Sequence, residues 1–165
     1  MKLPSLFTRD SPPAEAEPSP PEPQPIRLIL AGHDLVGWID PGEERVSDLL
    51  QRGNPLPFLP AGQSPARWIS VDPADLLVVV PPPHVSPPER RLQRQRHQVT
   101  IRIGGWIAAG TAHLMPGEEY DPYLRSTRQF LPLTEATLVK EGDQSTQLFD
   151  ALIVNLKRVD EFHVA

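Results

Sequence analysis

The chain has 165 residues, a net charge of −5, 22 prolines and no cysteine. Without cysteine there are no disulfides, thiolate metal sites or cysteine nucleophiles, and a small unstapled protein is expected inside the cell. The acidic balance excludes a global basic field that would gather nucleic acid, and no apolar run approaches the ~20 residues of a membrane-spanning helix.

The first residues, Met1-Lys2-Leu3-Pro4-Ser5-Leu6-Phe7, are too short and too broken by Pro4 for a signal-peptide core, so a cytoplasmic location is expected. Residues 11–25 hold seven prolines mixed with Glu15, Glu17 and Glu22. Such a segment cannot bury enough apolar surface to offset its ordering entropy. Residues 1–25 are therefore read as a disordered, partly polyproline-II tail. Leu3, Leu6 and Phe7 lie at its far end between Lys2 and Arg9, and are candidate partner-binding residues on a flexible arm.

From Ile26 the pattern changes to strict alternation, the period of a half-buried strand. Ile26, Leu28 and Leu30 match Val99, Ile101 and Ile103, while Gly32 and Gly37 match Gly105 and Gly110. A hairpin is predicted in each copy, with His33-Asp34 in the first turn. Pro41-Gly42-Glu43-Glu44 then matches Pro116-Gly117-Glu118-Glu119, and Phe58-Leu59-Pro60 matches Phe130-Leu131-Pro132. These landmarks, in one order, indicate an internal duplication. Ser47 is expected to cap a helical turn that Gly53 stops; Asp121 and Pro122 suggest a counterpart in the second copy. Both copies end in a strand, a four-residue turn (Asp72–Asp75 or Asn155–Arg158) and a last strand. The second copy carries roughly one more hairpin's worth of chain, in Thr134–Lys140 and Gln147–Val154 about a turn at Glu141-Gly142-Asp143.

Residues 81–98 read as a Pro-rich linker. Ser86-Pro87-Pro88-Glu89 has the form of a capping box, and Arg90–His97 extend it into a short basic helix whose one large apolar residue is Leu92. Arg90, Arg91, Arg94 and Arg96 are the densest positive cluster and the remaining candidate partner-binding residues. No aromatic residue is interleaved among them for base stacking.

A short helix, five strongly bent strands and a tight link between the last two resemble Sm-like small β-barrels. Arg45-Val46-Ser47-Asp48-Leu49-Leu50 followed by Phe58-Leu59-Pro60 also resembles the signature of an uncharacterised family of small bacterial β domains. In the second copy Phe130–Ala136 fits that signature, and Tyr120-Asp121-Pro122-Tyr123 replaces its Arg-x-Ser-Asp portion. The resemblance covers residues 26–80 and 99–165. It implies a mainly β fold of two tandem small barrel units, the first shortened, and implies no activity.

No catalytic, cofactor or metal signature is present. The five histidines, His33, His84, His97, His113 and His163, lack the helical pair spacing of a metal site. The adjacent pairs Glu43-Glu44 and Glu118-Glu119 diverge on a strand, so they make a poor acid–base couple. Gly104-Gly105 precedes no helix and is no phosphate cradle. Trp38, Trp68 and Trp106 are assigned by default to core or inter-unit packing. The leading expectation is a noncatalytic protein-interaction or regulatory scaffold, with a protein partner or self-association. Nucleic-acid binding through Arg90–Arg96, or an enzyme with a cleft between the units near His113, are the alternatives.

Overall fold

The computed structural model describes residues 22–83, 95–114 and 128–165. The first half contains β1 (Gln24–Leu30), β2 (His33–Ile39), α1 (Val46–Gln51), β3 (Leu56–Pro60), β4 (Ile69–Val71) and β5 (Leu76–Val80). The second contains β6 (Gln95–Ile103), β7 (Trp106–Leu114), β8 (Phe130–Lys140), β9 (Thr146–Asn155) and β10 (Glu161–Val164). No described helix is long and apolar enough to cross a membrane.

The fold is mainly β: one antiparallel sheet in the order β10-β6-β7-β8-β9-β5-β1-β2-β3-β4. Cut between β9 and β5, it falls into two runs of the same order. In each, the last strand of the half lies beside the first, and the others follow in sequence. The registers repeat as well. Leu30↔His33 in the first hairpin corresponds to Ile103↔Trp106 in the second. Leu28↔Val79 corresponds to Ile101↔Phe162, and Arg27↔Val80 to Thr100↔His163. Among the described residues the ladder runs open from β10 to β4, with no rung closing either half.

Several local expectations are corrected. The rung Leu30↔His33 leaves Ala31-Gly32 as the two-residue turn, with Gly32 at φ 75°, so His33 and Asp34 belong to β2. The cap of α1 is Arg45, whose carbonyl accepts from Asp48 N (3.0 Å) and Leu49 N (3.1 Å); Ser47 lies inside the helix. Gly53 does stop it, at φ 71°. Gln95–His97, expected in a basic helix, instead open β6, paired with Ala112–Leu114 of β7. A ladder satisfies those backbone groups, whereas a helix with no apolar stripe had nothing to pack against. Gln24 and Pro25, assigned to the tail, open β1 opposite Ile39 and Trp38.

The matched Phe-Leu-Pro landmark is also out of register. Leu56↔Val71 and Phe58↔Ile69 correspond to Leu131↔Val154 and Leu133↔Leu152. Thus Leu56-Pro57-Phe58 occupies the place of Leu131-Pro132-Leu133. In both, two buried apolar residues flank a more exposed proline. The glycines agree with this register. A methyl group on Gly37 would run into the Leu59 carbonyl and the Phe58 ring, and one on Gly110 would lie 3.0 Å from the Thr134 carbonyl. The extra chain of the second half lengthens β8 and β9 to 11 and 10 residues, against 5 and 3 for β3 and β4.

Two cores hold the sheet together, and each borrows from the other half. Ile29, Leu77 and Val78 of the first half are buried with Val99, Ile101, Ile103 and Leu138 of the second. Phe130 and Ile153 of the second are buried with Ile26, Leu28, Leu50 and Phe58 of the first. Each such aliphatic side chain contributes about 1.5–3 kcal/mol on burial. Where the halves meet, β5 pairs β9 through Val78↔Val154 and Val79↔Ile153. Polar clamps reinforce the seam. Gln51 Nε2 donates to the Phe130 carbonyl (2.8 Å), and its Oε1 accepts from Gln129 N (3.1 Å). Buried Asn155 donates from Nδ2 to the Leu76 carbonyl at 2.7 Å.

Candidate functional site

Of the residues singled out from sequence, Leu3, Leu6, Phe7, Arg90, Arg91 and Arg94 lie outside the described residues. Arg96 stands on β6 opposite His113, and its Nη2 lies 3.1 Å from Glu135 Oε2. Glu135 takes a left-handed backbone (φ 49°) where the β7–β8 register shifts. Both side chains are exposed, so the pair contributes at most about 1 kcal/mol. Its consequence is local: Arg96 answers a carboxylate of its own chain.

Among the described residues, several polar side chains with chemical potential are engaged in structural contacts. Arg27 grips Asp34 with two nitrogens (2.8 and 2.6 Å) and reaches Gln147 Oε1 with the third (2.6 Å). Its guanidinium carbon also lies 5.9 Å from the Trp106 ring centroid. The Arg27 hydrogen bond holds the Asp34 carboxyl below the usual aspartate range. His113 Nε2 lies 2.7 Å from Thr134 Oγ1, and Gln98 Nε2 donates to Thr111 Oγ1 at 2.8 Å. Glu44 pairs with Arg52 at 2.9 Å. Among the described residues no group of three His, Asp or Glu side chains could hold a metal ion.

The surface that sequence reasoning missed is apolar. In β2 the positions Leu35, Gly37 and Ile39 face inward, which leaves Val36 and Trp38 on the opposite face. Val36 is 58 % exposed and Trp38 39 %. Trp38 lies opposite Leu59 of β3, while Trp68, just before β4, and Ile69 at its start are 48 % and 41 % exposed. Two of the three tryptophans are therefore on the surface, against the default assignment; Trp106 is the buried one. The signal lay in Leu35-Val36-Gly37-Trp38-Ile39 itself. A strand with one wet face alternates apolar and polar, and this one is apolar on both faces.

Comparison with known proteins yields no family model, curated protein or solved structure that matches this chain.

Proposed function

We propose that this protein is a noncatalytic protein-interaction scaffold, and that its contact face is Val36 and Trp38 on β2 with the exposed Trp68 just ahead of β4. The carrying observation is the exposure of two tryptophans and Val36 at one end of the sheet. Exposed aromatic clusters of this kind mark association sites, because tryptophan supplies large contact area at low entropic cost. The two half-cores further support reading each half as a curled, Sm-like small barrel. Nucleic-acid binding is less favoured, since Arg96 is paired with Glu135 within the chain and Arg27, which stands opposite Val36, is held by Asp34.

The test is capture of binding partners in cells by the full chain and by a Trp38→Ser, Trp68→Ser variant, with circular dichroism as the folding control. Specific capture by the parent and its loss in the folded variant are expected. Equal capture by both would refute the reading.

A further inference from the structure

We propose that the open side of β4 is a docking edge for an extended apolar strand supplied by a different protein, added antiparallel to Ile69–Val71. This rests on the scaffold reading above and names the chemistry of the partner. The molecule carries its own precedent. β4 and β9 hold the same place in the two halves: each precedes a capped 3-10 turn, where Asp72 Oδ1 accepts from Ala74 N at 2.9 Å and Asn155 Oδ1 from Lys157 N at 3.1 Å. The side of β9 away from β8 is covered by β5, with Val78, Val79, Ile153 and Val154 all buried. The corresponding side of β4 is the end of the sheet among the described residues, and Ile69 and Ser70 there are exposed.

The strand that fits β9 shows what fits β4. It is Leu76-Leu77-Val78-Val79-Val80, extended, uncharged and rich in β-branched residues. Main-chain bonds of an added strand give affinity, and alternate side chains give selectivity. On the sheet side, Pro57 stands opposite Ser70 and has no N–H to offer its carbonyl.

A second copy of this chain does not supply that strand. By position its β10 would be the candidate, because β10 lies on β6 in the register that β5 keeps on β1. Yet Asp160 and Glu161 hold the places of Leu77 and Val78. Glu161 pairs with Arg102 at 3.2 Å, and Asp160 Oδ2 accepts from Gly104 N at 3.0 Å. Seating these carboxylates against β4 would desolvate charges with no apolar gain. Charged side chains on an edge strand are a common guard against edge-to-edge pairing.

The probe is a synthetic peptide of residues 72–81, titrated into the full chain while backbone amides and tryptophan fluorescence are followed. Saturable shifts centred on Ile69–Val71 and Trp68 are expected. A control peptide with Leu77→Asp and Val78→Glu, the charges of β10, should bind at least about tenfold more weakly. So should the parent peptide to an Ile69→Lys chain. Absence of shifts at 69–71, or equal binding of the charged peptide, overturns the proposal. Self-association of the chain that Ile69→Lys abolishes also overturns it, since the strand would then come from a second copy. A cellular partner lost with Trp38 and Trp68 but retained by Ile69→Lys would sink the edge and leave the scaffold standing. Peptide binding without any such partner would do the reverse.

Discussion

Arg102 stands in the second half where Ile29 stands in the first. Ile29 lies opposite Val78 and is buried under the second half, whereas Arg102 lies opposite Glu161 at the surface and also reaches Glu141 at 2.9 Å. The same backbone position thus builds the seam in one half and a charged margin in the other. Converting the margin to the seam, with Arg102→Ile, Asp160→Leu and Glu161→Val together, should turn β10 into a copy of β5. Because the replaced ion pairs are exposed, each contributes at most about 1 kcal/mol and the monomer should still fold. The expected outcome is concentration-dependent association in sedimentation velocity, where the parent should show none through this edge. A second substitution, Ile69→Lys, should reverse it.

Asn155 and Asp72 cap matching 3-10 turns in different surroundings. Asn155 is buried, accepts from Lys157 N, and donates to the Leu76 carbonyl across the seam. Asp72 is exposed and its carboxylate only accepts. Exchanging the two chemistries should therefore be asymmetric. Asn155→Asp keeps an acceptor for Lys157 but leaves the Leu76 carbonyl without its donor and puts a carboxylate in the core. A loss of about 2–3 kcal/mol is expected in urea unfolding. Asp72→Asn should stay within about 0.5 kcal/mol of the parent.

The sequence announces its strands well because alternation is a local property. Ile26-Arg27-Leu28 and Val99-Thr100-Ile101 can be read without knowing what they pack on. The turn glycines and the closing strand–turn–strand units are equally local. The correspondence of β3 with β8 is harder to read, since Phe-Leu-Pro repeats as letters while the ladder follows the buried-exposed-buried rhythm of Leu56–Phe58 and Leu131–Leu133. The fate of Gln95–His97 depended on Ala112–Leu114 offering an open strand, which no local pattern discloses. The apolar face is hidden in the sequence because tryptophan in a strand reads as core. Only the register showed that Trp38 and Leu35 point opposite ways.

Gly37 and Gly110 give a test of the shared register. A Cβ on Gly37 meets the Leu59 backbone oxygen and the Phe58 ring inside contact distance, and neither can yield cheaply. On Gly110 the nearest atoms, the Thr134 carbonyl and the Ala136 methyl, stand at 3.0 and 3.1 Å. Overpacking of a tight site costs roughly 1–3 kcal/mol. Gly37→Ala should fall at the upper end of that range or beyond, and Gly110→Ala near the lower end. Thermal melts of the two variants rank them directly. Equal loss would mean that the strand crossings at β2–β3 and β7–β8 differ from those described.

The Arg27–Asp34 pair makes part of the stability depend on pH. Asp34 takes two of its partner's nitrogens, and Arg27 bridges onward to Gln147 of the second half, so the carboxylate orients a contact across the seam. The Arg27 hydrogen bond depresses the Asp34 pKa in the folded chain. A carboxyl with a lowered folded pKa binds protons more readily when unfolded, so its stabilisation is present above the unfolded value, about 3.9. It is lost as pH falls through the lower folded value. Asp34 is 42 % exposed, so solvent screening limits its share to about 1 kcal/mol or less. Stability measured by urea unfolding from pH 7 into the acid range below the folded Asp34 value should decline in the parent, and more gently in Asp34→Asn. The two curves should converge at the acidic end, because protonated aspartate and asparagine offer Arg27 similar neutral acceptors. Parallel curves across the range would show that the pair contributes nothing to folding.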